Sequence, residues 1–174
     1  MFLNNRPLFF YMANLDTKAE ALQTALRILA ASPKSEHEMA RRLAQKGYSE
    51  TVIGTTLQEL QNQRLINDQQ YAQDLVTRYA IGRPSGRRRI AFELQRRGIP
   101  PEICREVLQR ITAEGEEENA RELAQVRWQR FAALPRPARI KKVQDHLVRR
   151  GFDFDLVRRV MNTLGSEESY DENG

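Results

Sequence analysis

The stretch "SGRRRIAFELQRRGI" (residues 85–99) decides how the chain is read. Ile90 and Leu94 are four residues apart, one helical turn, so they form an apolar seam. Arg87 extends the edge of that seam. Arg88, Arg89, Arg96 and Arg97 lie largely outside it, and Glu93 is placed to bridge Arg89 to Arg96 or Arg97. Phe92 falls off the seam. Gly98 ends the run, because glycine enters the left-handed C-terminal conformation without a Cβ clash. Alone, the stretch fits a recognition helix in a nucleic-acid groove. It fits equally one copy of a repeated unit whose basic face meets something else.

The repeat reading gains from two further stretches. "LAQKGY" ends at Tyr48 and "LVRRGF" ends at Phe152, beside "LQRRGI" in the middle. Each places a Leu four residues before a Gly, a base directly before it and a bulky apolar residue after it. The glycines Gly47, Gly98 and Gly151 are 51 and 53 residues apart. Pro33, Pro84 and Pro135 precede them by 14, 14 and 16 residues. Eight residues before each Gly stand Met39, Ile90 and Val143. The fifth, tenth and thirteenth positions after it are Val52, Leu57 and Leu60, then Ile103, Leu108 and Ile111, then Leu156, Met161 and Leu164.

Each copy parses into three helices. The first copy predicts helices over 17–31, 36–46 and 50–62. Ser35 and Glu38 form a capping box, and Ser85 offers an equivalent cap in the second copy. Ser49, Asp153 and the Pro100–Pro101 pair open the third helices. Such units bury little alone and share cores when stacked. The expectation is an all-α protein: an elongated, curved array of three tandem three-helix repeats over 17–66, 67–111 and 112–164. Residues 1–16, with the apolar piece "PLFFYMA", form a leader of uncertain structure. Residues 165–174 form an acidic tail expected to be disordered.

Charge narrows the function class. The chain carries 28 Lys and Arg against 23 Asp and Glu, a net +5, and the last ten residues alone contribute −4. The body is therefore drawn to polyanions or acidic protein surfaces. A single cysteine, Cys104, gives no disulfide framework and occupies a core position held by Ile53 and Val157 in the other copies. "PLFFYMA" is too short to span a membrane, so a cytoplasmic, reducing home is expected. Neither His37 nor His146 sits in a metal-ligand spacing, and there is no Walker-type loop. No catalytic residue, cofactor or metal is expected. Tyr71, Tyr79, Phe92 and Trp128 could stack bases, but at helical spacing they read as packing residues.

The motif "NDQQYAQDLVTRYA" followed by "GRPSGRRRIAFELQRRGI" resembles the signature of the RecX family, regulators of the RecA recombinase. The residues that carry it are Asp68, Tyr71, Ala72, Gly86, Ile90, Glu93, Leu94, Arg97 and Gly98. "ALRILAASPKSEHEMARRLAQKGY" resembles the family's first repeat through Ala25, Leu26, Leu29, Ser35, Glu38, Leu43 and Gly47. Many members have a Gly-Tyr-Gly-Pro turn where this chain has Pro84-Ser85-Gly86-Arg87. The resemblance implies a role in homologous recombination, DNA repair and the SOS response. It implies a monomeric, non-enzymatic modulator that binds the RecA filament on single-stranded DNA and most often inhibits it.

The contact surface expected from the residues is basic. The densest patch is Arg87, Arg88, Arg89, Arg96 and Arg97. Arg149, Arg150, Arg158 and Arg159 come second, and Arg41, Arg42 and Lys46 third. Weak contacts repeated about every 51 residues would reinforce one another on a filament. The alternative is a direct DNA-binding protein whose helix-turn-helix-like basic helices enter the major groove.

Overall fold

A computed structural model describes residues 17–171, with side chains through Leu164; the leader, residues 1–16, lies outside the described residues. The described residues form nine α-helices and no strand. In chain order these are α1 (Lys18–Ala31), α2 (Glu36–Gln45), α3 (Glu50–Asn62), α4 (Asp68–Thr77), α5 (Arg87–Arg96), α6 (Pro101–Gln109), α7 (Ala113–Arg130), α8 (Arg136–Arg149) and α9 (Phe154–Asp171). The backbone of 165–171, expected to lack structure, continues α9. Propagating a helix already anchored by packing is cheap, whereas nucleating one is not.

Local chemistry explains the helix starts. The Ser35 hydroxyl accepts the Glu38 N–H at 3.1 Å, and the Ser35 N–H donates to the Glu38 carboxylate at 3.3 Å. Ser49 accepts from the Val52 N–H, Thr112 from the Gly115 N–H and Asp153 from the Asp155 N–H. Pro101 opens α6, where its missing N–H has no partner to lose. Ser85 does not cap α5: its hydroxyl donates to the Arg83 carbonyl at 2.9 Å. The cap comes instead from α7, where Glu116 accepts the Arg87 N–H at 2.7 Å.

The helix stops follow the repeat. Gly47, Gly98 and Gly151 have φ of +90°, +70° and +83°, the left-handed region expected of them. They differ in surroundings. A Cβ on Gly47 would meet nothing within 4 Å, while one on Gly151 would lie 2.4 Å from the Arg89 nitrogen. α4 does not stop at a glycine. It widens into a π-helical turn, Arg78–Gly82, in which the Arg83 N–H reaches the Arg78 carbonyl at 3.1 Å.

The residues divide into two compact units. One holds the described residues to Tyr71 together with Arg97–Ile99. Its core joins Ala21 and Ala25 of α1, Met39 and Leu43 of α2, Tyr48, and Ile53, Leu57 and Leu60 of α3. The start of α4 docks here because Asp68 accepts the Glu36 N–H at 2.9 Å. Burial pushes the Asp68 carboxyl above its ordinary range. The other unit holds Ala72–Arg96 and the described residues from Pro100 onward. Ile90, Leu94, Cys104 and Val107 are buried on α5 and α6. Ala120, Ala124, Trp128, Val143, Leu147, Phe152, Val157 and Val160 form the core of α7–α9. Val52, Ile103, Leu108 and Ile111, expected in the cores, are only half-buried.

Arg64, just after α3, is the one non-glycine residue with positive φ among the described residues, at +57°. It sits where the Leu65 N–H closes onto the Leu60 carbonyl at 2.8 Å, a position that favours glycine. Arg64→Gly is therefore expected to stabilise by about 0.5–1 kcal/mol, the strain relief exceeding the added unfolded-chain entropy. A thermal melt should rise by about 2–4 °C. An unchanged or lower melting point would show that Arg64 bears no strain.

Candidate partner-binding surface

In the first unit, α2 buries Met39 and Leu43 and thereby turns Arg41, Arg42 and Lys46 outward. All three are exposed, and none makes an ion pair with another described residue. Arg97 behaves differently. Its side chain is only 24% exposed. Its Nη1 donates to the Glu38 carboxylate at 3.2 Å and to the Tyr71 hydroxyl, with the guanidinium 5.6 Å from the Tyr71 ring centroid. The Arg97 carbonyl accepts the Ser35 hydroxyl. Arg97 was expected outside the apolar seam. It is instead a half-buried clamp, because Glu38 and Tyr71 enclose it. Burial pushes the Tyr71 phenol up, which keeps it a protonated hydrogen-bond donor.

In the second unit the arginine triplet is paired throughout. Arg87 donates to the Ile111 carbonyl and lies 3.6 Å from Glu116. Arg88 pairs with Asp153, the same carboxylate group that opens α9. Arg89 pairs with Glu93 at 2.7 Å, and Arg96 pairs with the other oxygen of Glu93 at 2.8 Å. Glu93 therefore bridges Arg89 to Arg96 and not to Arg97. Its side chain is buried while both arginines stay about half-exposed. Arg88 remains the most exposed of the triplet.

The second group of arginines divides. Arg150 is half-buried, and its Nε donates to the Pro84 carbonyl at 2.9 Å. Its carbonyl accepts the Gly86 N–H at 3.0 Å, in a contact so close that a Cβ on Gly86 would lie 2.2 Å from the Gly151 oxygen. Arg158 pairs with Asp155 at 3.1 Å and Arg159 with Glu117 at 3.3 Å. Arg149 is exposed and has no ion pair among the described residues. Trp128 is core, with the Arg139 guanidinium 3.9 Å over its ring, while Phe92 is 55% exposed beneath Arg89. Cys104 is buried, and burial raises its thiol pKa. No group of His, Cys, Asp and Glu able to hold a metal occurs among the described residues, and no described helix is long and apolar enough to cross a membrane.

Family models match the chain in three consecutive blocks. The first, second and third three-helix domains of RecX match residues 21–60, 67–108 and 114–161. The chain belongs to the RecX family. The regulatory protein RecX of Clostridioides difficile is 30% identical over 152 residues, covering 87% of this chain and 71% of the relative. That of Trichlorobacter lovleyi is 30% identical over 151 residues, covering 86% and 98%. The crystal structure of RecX from Lactobacillus salivarius superposes with a TM-score of 0.74 at 22% identity, covering 85% of this chain and 96% of that one. A second crystal structure, of a regulatory protein RecX, gives 0.75 at 25% identity, covering 93% and 81%. The fold is thus three RecX three-helix domains in tandem, and the chain is a RecX-type regulator. The signature residues serve the architecture: Asp68 and Tyr71 dock α4, Gly86 admits a backbone, Glu93 bridges two arginines and Gly98 ends α5.

Sequence reasoning missed the acids. Glu38, Glu116 and Asp153 decide which arginines are held inside the protein. Asp153 was legible only as a cap, and Glu116 only as part of an acidic helix start.

Proposed function

We propose that this chain regulates the RecA recombinase by binding the RecA filament on single-stranded DNA through its basic faces, without catalysis of its own. Filament growth, ATP hydrolysis and strand exchange are then limited together. The observation that carries this reading is the exposed cationic set on a RecX fold: Arg41, Arg42 and Lys46 on α2, Arg149 on α8 and the outward Arg88 on α5. A filament repeats the same anionic features at every subunit, so several weak contacts add through effective concentration. Each exposed charge contact is worth about 1 kcal/mol or less. The protein acts as a monomer in the cytoplasm on this reading.

The measurement is ATP turnover by RecA on single-stranded DNA with increasing amounts of the protein. A dose-dependent fall is expected. Unchanged turnover at saturation would sink the reading. The second reading, direct DNA binding by basic helices, is favoured only by the charge of α5. Most of that charge is paired with Glu116, Asp153 and Glu93. The two readings separate by comparing bare and RecA-coated DNA across a salt series. A pure phosphate binder loses affinity steeply with salt and ignores RecA.

A further inference from the structure

Within the second unit, four arginines gather without an acid among them. Arg150 is fixed first. Besides its Nε bond to Pro84, its Nη2 donates to the carbonyls of both Arg83 and Pro84. Its charge therefore rests on peptide carbonyls at the loop that follows the π-helical turn. Arg83 stands on that loop, exposed beside Ile81. Arg127 comes from α7, which packs on α8 through Trp128 and Leu147. The Arg127 Nε is buried and has no hydrogen-bond partner. Arg149 adds an exposed guanidinium at the end of α8. Neither Arg83, Arg127, Arg149 nor Arg150 makes an ion pair with a described residue.

The cluster is felt by its neighbours. His146 lies one turn before Arg150 on α8, whose Arg150 N–H closes onto the His146 carbonyl at 3.0 Å. Burial, then the charges of Arg127, Arg150 and Arg149, hold its imidazole at about 4. Burial likewise lowers Arg150, with the charges of Arg83, Arg89 and Arg127 acting in the same direction and Tyr79 opposing. Elsewhere in this unit an acid neutralises each of the arginines of the triplet. Here none does.

We propose that Arg83, Arg127 and Arg149, grouped around the fixed Arg150, form a phosphate-binding site that takes the phosphodiester groups of a nucleic-acid strand. The ratio argues for phosphate over a protein carboxylate. Glu93 is satisfied by two guanidiniums and Asp153 by one. Four guanidiniums suit a tetrahedral anion with several acceptor oxygens, repeated along a backbone. The unpartnered Arg127 Nε supplies a donor that a bound oxygen would satisfy. The site stands apart from the recombinase reading. It is measured with no protein partner present, so either can fail while the other holds.

The test is histidine-ring NMR on the full chain, which has only His37 and His146. His37 lies in the other unit, against Gly98, and serves as the internal reference. A short oligothymidylate is expected to raise the His146 midpoint from about 4 toward its ordinary 6.5, because a bound anion offsets the arginine charges. Arg149→Gln, a surface change, should weaken oligonucleotide binding about fivefold and lower the salt slope by about one. Arg127→Gln should act in the same direction, with helix content checked by circular dichroism. Should Arg127→Gln disturb packing beside Trp128, the Arg149→Gln result decides. Inorganic phosphate is run in parallel at constant ionic strength. A shift saturating with phosphate at lower concentration than with oligonucleotide overturns the nucleic-acid assignment. An acidic peptide that moves His146 as far as the oligonucleotide overturns the phosphate assignment. A His146 midpoint that stays put under all ligands, or an Arg149→Gln variant with unchanged affinity and salt slope, overturns the site.

Discussion

Gly151→Ala is expected to destabilise the second unit by about 3–5 kcal/mol, whereas Gly47→Ala, at the equivalent helix end, should cost only about 1–2. Both residues have left-handed backbone, so both variants carry the steric penalty of a Cβ at positive φ. What differs is the neighbourhood. Around Gly47 the added methyl meets open space. At Gly151 it would lie 2.4 Å from the Arg89 nitrogen and 2.9 Å from its Cα, atoms that cannot rotate away. Either α5 moves off the end of α8, or the Gly86 N–H loses the Arg150 carbonyl at 3.0 Å. Urea melts of the two variants, followed by helix content, check the contrast. Equal losses would mean that the α5–α8 approach contributes nothing and that only the φ penalty counts.

The same pair of glycines shows what was legible in the chain and what was not. The left-handed stop is a local rule, written in the Leu-x-x-base-Gly-apolar pattern, and it holds at all three sites. The seams that precede it, Met39 with Leu43, Ile90 with Leu94 and Val143 with Leu147, are buried throughout. A helical period needs no knowledge of the partner element. The close approach of Gly151 to Arg89 has no such local trace, because it depends on how α5 lies against the end of α8. The fate of the arginines is likewise non-local. Arg87 meets Glu116 29 residues on, and Arg88 meets Asp153 65 residues on. Arg97 meets Glu38 59 residues back. Counting charges along the chain therefore located the basic segment but could not say which charges were already matched. Glu93 was an exception because its partners are three and four residues away on one helix.

That distinction reorders the expected contact residues, and the consequence is large enough to measure. Simultaneous Arg41→Gln, Arg42→Gln and Lys46→Gln should weaken binding to the RecA filament by about a hundredfold, taking each exposed contact at close to 1 kcal/mol. Arg88→Gln alone should weaken it by about threefold or less. The reason is competition. Arg88 already has Asp153, so a partner gains only the difference between its own anion and that carboxylate. The α2 cations have no such competitor among the described residues, and only water must be displaced. Replacing them leaves Met39 and Leu43 in place, so melting should hold and binding loss can be read as loss of contact. Asp153→Asn sharpens the comparison. Asparagine caps helices as well as aspartate does, so α9 keeps its start while Arg88 is released. Filament binding by that variant should strengthen by up to about fivefold at low salt and return to the parent value as salt rises. If the triple variant binds like the parent while Arg88→Gln abolishes binding, the exposed face of α2 is not a contact surface and the paired arginines of α5 open on contact with the filament.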